Sequence, residues 1–144
     1  MPLQCEFSAS ALEAGRVEPL PEESPRHDVR RLVSSGPPAP DLIVRIVDPE
    51  TLSPCPPNRI GEIWVCGDSI ASGYFQRPAE SAATFHAYLG SEGPFLRTGD
   101  LGFLHQGELF VACRLKDMIL IDGRNHYPQD IEHTVERAHQ ALRH

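Results

Sequence analysis

Lysine occurs once in this 144-residue chain, at Lys116. Thirteen basic side chains stand against twenty acidic ones, giving a formal net charge of -7. A surface short of positive charge repels a phosphate backbone on average, which argues against nucleic acid as a partner and makes the acidity a matter of solubility. Cysteine is sparse too, and Cys5, Cys55, Cys66 and Cys113 form no C-x-x-C pair. Such scatter fits neither a zinc site nor a dense disulfide framework, so reduced, partly buried thiols are expected. No stretch approaches about 20 consecutive apolar residues, and residues 1–16 lack a basic region followed by an apolar run. The expectation is a cytoplasmic protein without membrane contact. Several catalytic signatures are missing as well: there is no H-E-x-x-H, no G-x-x-x-x-G-K and no nucleophile elbow. His133, His139 and His144 lie six and five residues apart rather than the three or four that share a helix face, so no metal is expected.

What is present starts with an apolar content of 40%, enough for a core in one ordinary domain or in a small domain plus a piece of another. Most of the fourteen prolines lie at or before Pro57, and six of them fall in residues 18–40. Proline removes a donor and stiffens the backbone, so residues 1–40 read as an irregular lead-in, with a short helix over 8–15 and a surface loop over 18–40. Packed structure is expected from Asp41 onward.

Residues 42–47 are rich in β-branched side chains and end at Asp48-Pro49, a strand followed by a turn. Residues 61–67 alternate, with Ile63 and Val65 expected inward and Glu62 and Trp64 outward. Pro78 opens a short helix that runs to Phe85. Three short strands follow over 95–97, 101–104 and 109–113, the first two separated by an acidic turn at Thr98-Gly99-Asp100 and the last two by His105-Gln106-Gly107-Glu108. Residues 118–121 form another strand, Asp122-Gly123 a hairpin turn, and Pro128 the start of a helix with Asp130 and Glu132 favourably placed against its dipole. Ile131, Val135, Ala138 and Leu142 share one face of that helix, a stripe that a strand pair cannot cover alone. The expected class is mainly β with α (α+β): a small distorted antiparallel barrel or sheet over 41–115, then a hinge, a β-hairpin and one helix over 116–144.

Three constellations carry possible chemistry. Asp100, after Thr-Gly, can accept two hydrogen bonds from a ribose diol, although by spacing alone a plain turn aspartate is the commoner reading. Arg114, Lys116 and Asp117 cluster at a strand end, where mixed charge is solvated in most proteins. Gly123-Arg124-Asn125 is either a phosphate-cradling turn or an ordinary hairpin.

Taken together, GEIWVCGDSIASGYF (61–75), FLRTGDLGFLHQGELFV (95–111) and RLKDMILIDGRNHYPQDIE (114–132) resemble the adenylate-forming enzymes, and among them the fatty acyl-AMP ligases. The ending RNHYPQDIE is the most specific part, and ALEAGRV with RRLVSSG extends the likeness over nearly the whole chain. Two departures are Cys113, where glycine is usual, and Phe75, where tryptophan is common; both look like tolerable packing changes.

The resemblance implies an enzyme that converts a fatty acid and ATP, with Mg in the complete enzyme, to acyl-adenylate and pyrophosphate, and then passes the acyl group to an acyl carrier protein in polyketide or lipid biosynthesis. It implies that Asp100 holds the ribose hydroxyls and Arg114 contacts the same nucleotide region. By the same comparison Lys116 is the pivot of a mobile C-terminal domain, and Gly123 lies on a loop that swings toward the pantetheine arm. The family's phosphate loop and C-terminal catalytic lysine have no counterpart in the sequence. The expectation is therefore the last subdomain of the large AMP-binding domain, the hinge and the start of the small domain, inactive alone and without tight nucleotide binding. The alternatives are a non-catalytic interaction module or one half of a split enzyme whose N-terminal part is a separate partner.

Overall fold

The computed structural model describes residues 3–21 and 26–138. Nine strands and three helices lie along them, arranged as a curled five-stranded antiparallel sheet, a strand pair that precedes it in the chain and a hairpin-helix unit that follows it.

The sheet takes its shape from one long strand. Counting in chain order, β3 (Ile43–Val47), β4 (Gly61–Cys66), β5 (Ala87–Leu89), β6 (Glu92–His105) and β7 (Glu108–Arg114) form the five-stranded sheet. β4 pairs with β3 on one side and β6 on the other, while β6 also carries β5 near its start and β7 along its end. A strand of 14 residues shared among three partners must curl to reach them all. The tight return from β6 to β7 uses Gln106 and Gly107, both at positive φ (53° and 80°), the pair that a two-residue hairpin requires.

The sequence-based expectation of separate strands at 95–97 and 101–104 is corrected here. Thr98, Gly99 and Asp100 do not end a strand; they lie inside β6 as a bulge. The registry Glu62 with Leu101 and Trp64 with Arg97 spans two steps on β4 and four on β6, so β6 carries two extra residues. Gly99, at φ +71°, supplies the left-handed backbone that this excursion needs.

The alternation expected for β4 is also corrected. Glu62 and Trp64 are each only 2% exposed, and Gly61 and Ile63 are buried beside them. A period-two pattern puts one face in water only when that face is uncovered, and β4 is flanked by β3 and β6 and covered on both faces. Trp64 packs against Phe95 at 6.1 Å between ring centres, in a small cluster with Val47.

The lead-in contains more order than its prolines suggested. β1 (Gln4–Ser8) pairs antiparallel with β2 (Val29–Val33), and α1 (Ala9–Glu13) lies between them in sequence. Ser8 caps α1 by accepting the Ala11 N–H at 3.1 Å, and its hydroxyl donates to Asp28 at 2.7 Å. Asp28 also accepts the Ser10 N–H at 2.8 Å; these bonds hold its carboxyl below the usual carboxylate range. Beyond β2, Ser35 N–H donates to Leu109 and Leu109 N–H to Gly36, which ties the lead-in to β7.

The main core forms where the lead-in meets β6 and β7. Phe7, Leu12, Val17, Leu101, Phe103, Phe110, Ala112, Cys113 and Tyr127 cluster there. Phe7 meets Phe103 and Phe110 edge-on at 5.1 and 5.5 Å, and those two rings stack on each other at 5.3 Å. Burial pushes the Cys113 thiol up to about 11, so this side chain fills space rather than offering a thiolate.

After β7 a single 3-10 turn (Leu115–Asp117) leads into β8 (Ile119–Ile121), which pairs with β9 (Arg124–His126) across Asp122 and Gly123, and then into α3 (Pro128–Ala138). Ile119, Leu120, Ile121, Ile131 and Val135 stay exposed, in keeping with the uncovered stripe read from the sequence. Leu142, His139 and His144 lie outside the described residues. Tyr127 is the anchor of this unit: its hydroxyl donates to the Leu12 carbonyl at 2.9 Å. Arg30 lies over the Tyr127 ring at 4.2 Å and bonds Asp130 at 3.1 Å.

Candidate functional site

The bulge in β6 and the end of β7 bring the two leading candidates together. Asp100 and Arg114 are direct partners in the β6–β7 registry, and Arg114 Nε donates to Asp100 Oδ1 at 3.2 Å. Both side chains reach solvent, at 35% and 57% exposure. An ion pair this wet contributes only about 0–1 kcal/mol to stability, so the fold gains little from it. Among the described residues the other carboxylate oxygen of Asp100 has no hydrogen-bond partner, which leaves an acceptor facing water beside a planar five-donor cation. Chemically, that combination suits a ligand bearing adjacent hydroxyls.

Why Asp100 points outward is a local matter. Thr98 donates its hydroxyl to the Ile63 carbonyl at 2.7 Å and accepts the Asp100 N–H at 3.1 Å. Gly99 N–H donates to Glu62 Oε1 at 3.3 Å. Glu62 in turn takes Arg97 through Nε at 3.1 Å and a terminal nitrogen at 2.8 Å, both to Oε2. Each of the three bulge residues is thus tied to β4 or to its neighbour.

Lys116 is exposed in the 3-10 turn that follows Arg114 by two residues, between the sheet and the hairpin. Gly123 is exposed at the hairpin tip, at φ +75° next to Asp122 at φ 50°. The structure therefore joins Asp100 to Arg114, sets Lys116 close by in the chain, and leaves Gly123 at the far end of β8. Among the described residues no group of three or more His, Cys, Asp or Glu could hold a metal ion, and no helix is long and apolar enough to cross a membrane.

Sequence reasoning missed Glu62, Arg97 and Tyr127. Glu62 was placed outward by alternation; the available signal was its opposite, a lone acid inside GEIWV with an arginine in the neighbouring strand. Tyr127 carried a weaker signal, an aromatic residue immediately before the proline that opens α3.

Comparison with known proteins shows what the chain is similar to. The profile of AMP-binding enzymes matches residues 9–75. Over those residues the chain is similar to AMP-binding enzymes. The medium-chain-fatty-acid–[acyl-carrier-protein] ligase JamA of Moorena producens is 54% identical over 139 residues, which cover 95% of this chain and 24% of the relative. The long-chain-fatty-acid–AMP ligase FadD26 of Mycobacterium tuberculosis is 45% identical over 141 residues, covering 94% and 24%. A fatty acyl-adenylate ligase from L. pneumophila, solved in complex with acyl adenylate and pyrophosphate, superposes with a TM-score of 0.70 at 40% identity, covering 94% of this chain and 23% of that one. The chain spans about a quarter of the length of the relatives it matches. These matches run across the lead-in and the sheet alike.

Proposed function

We propose that this chain supplies the ribose-facing strand and the pivot of an ATP-dependent ligase, one that activates fatty acids as acyl-adenylates and hands the acyl group to an acyl carrier protein. The observation that carries the reading is the solvent-facing Asp100–Arg114 pair, 3.2 Å apart on a bulge in a chain that is similar over nearly its whole length to fatty-acid ligases. Its acceptor and donor suit the ribose end of AMP: Asp100 takes the hydroxyl protons and Arg114 steadies the same sugar or the oxygens beside it. Lys116 serves as the pivot between 41–115 and the segment from 116, and Gly123 rides on the loop that turns toward the pantetheine arm.

ATP supplies the adenylate that activates the carboxylate. The residues present fit its sugar, while a triphosphate calls for a cradle of donors that the Asp100–Arg114 pair does not provide. Lys116, the sole lysine, is committed to the pivot in this reading. The chain alone is therefore expected to hold AMP weakly and not to adenylate fatty acids.

Two measurements test this. In an NMR titration, AMP shifts the amides of residues 98–101 and the Arg114 side chain, and dideoxy-AMP, which lacks both ribose hydroxyls, does not. Equal responses to the two ligands, or none, sink the ribose assignment. In an ATP–pyrophosphate exchange assay with medium- and long-chain fatty acids the isolated chain gives no turnover; robust exchange would show a complete active site.

A further inference from the structure

A carboxylate that is 2% exposed is an unusual thing to find beneath a surface site. Glu62 is that group, and its bonds have a common destination. Arg97 and Leu101, the residues at the two feet of the β6 bulge, are its bonding partner and its registry partner, and Gly99 at the crown donates its N–H to Glu62 Oε1 at 3.3 Å. Arg97 is itself wedged in place: its guanidinium lies over the Trp64 ring at 5.4 Å while reaching Glu62.

Stability alone is a poor reason for such a pair. The desolvation of a buried carboxylate offsets most of its attraction to an arginine, and well-packed apolar side chains of similar volume commonly serve a fold as well or better. What an apolar pair lacks is direction. Two oxygens in a fixed plane, bonded to a planar guanidinium and a backbone N–H, specify one loop conformation out of many.

We propose that Glu62 and Arg97 are positioning residues for Asp100, fixing the bulge so that its carboxylate is presented beside Arg114. The proposal rests on Asp100 being the ribose acceptor. Neither Glu62 nor Arg97 touches the ligand in this scheme; both act through the backbone of residues 98–100, which Thr98 also ties to β4 through the Ile63 carbonyl.

The experiment uses the whole 144-residue chain in solution. Glu62→Gln keeps size and burial but loses the charge that draws both Arg97 and Gly99. In the free variant, the Cα and amide shifts of Gly99 should move away from their left-handed values and its amide should exchange about tenfold faster or more, while core resonances such as Phe103 and Phe110 stay put. The preference for AMP over dideoxy-AMP should fall at least about tenfold, toward one. If Glu62→Gln is folded and retains both the Gly99 signature and the preference, the proposal is overturned. Should Glu62→Gln fail to fold, Thr98→Val reports on the same bulge: it should also lose the preference, and an unchanged preference overturns the proposal. A wild-type chain that binds AMP and dideoxy-AMP alike would defeat the ribose reading instead, while the Gly99 signature in Glu62→Gln still decides whether Glu62 sets the bulge.

Discussion

The inner and outer sides of the β6 bulge carry the same chemistry in opposite surroundings. Inside, Glu62 and Arg97 pair at 2.8 Å with the carboxylate sealed from water; outside, Asp100 and Arg114 pair at 3.2 Å with both groups wet. Burial separates them far more than distance does. The inner pair is satisfied on both carboxylate oxygens and resists loss of Arg97 most, because the Glu62 charge left alone has no water to turn to. The outer pair costs the fold little to make or break, which leaves its members available to a ligand. A short strand segment thus holds both a fixed frame and an exchangeable contact.

Predictions that break this contrast can be ranked by size. Arg97→Met leaves Glu62 buried without a cation and should cost about 3–5 kcal/mol in urea unfolding; a loss under about 1 kcal/mol would mean that the inner pair is energetically a surface pair. Glu62→Gln keeps a hydrogen-bonding group against Arg97, which is 31% exposed and can rehydrate, so a smaller cost of about 1–3 kcal/mol is expected by the same measurement. A third carboxylate, Asp28, extends the comparison, since serine hydroxyls and a backbone N–H hold its charged form, with His27 adding a minor attraction. Its folded value lies below 3.8, so its contribution is present above that pH and disappears as pH falls through the lowered value. Melting temperatures from about pH 5 to about pH 2 should therefore drop more steeply for the native chain than for Asp28→Asn. The smallest effect on stability belongs to Asp100→Ala, which should change unfolding by less than about 1 kcal/mol while abolishing the response to AMP.

How far the sequence foretold this arrangement depends on the range of the forces involved. Pro78 and Pro128 opening helices, the Gln106-Gly107 and Asp122-Gly123 turns, and β-branched β3 are decided by neighbours in the chain, and all were legible. Asp100 and Arg114 could be singled out by motif, although their pairing needed the registry of β6 on β7. β1 and β2 were hidden because residues 4–8 and 29–33 acquire strand structure only from each other, across a proline-rich interval. The bulge was read as a turn because glycine followed by aspartate signals either, and only the pairing with β4 distinguishes them. Glu62 was misplaced for a related reason: alternation reports polarity, and a buried acid is polar in composition but apolar in location until its partner is known.

The bond from the Tyr127 hydroxyl to the Leu12 carbonyl, together with Phe7 against Phe103 and Phe110, sets an order of events in time. These contacts join residues roughly a hundred positions apart, so the main core is made from the first and last thirds of the chain. As the chain is synthesised, Phe7 and Leu12 emerge about a hundred residues ahead of the aromatic partners at 103 and 110 and of their last neighbour at residue 127. Long-range contacts of this kind repay the entropy of loop closure late, which makes folding slow relative to helical proteins of equal length and leaves the first strand pair waiting with its apolar side open. The same tyrosine that fastens the hairpin-helix unit to the sheet is thus also the residue that completes the core.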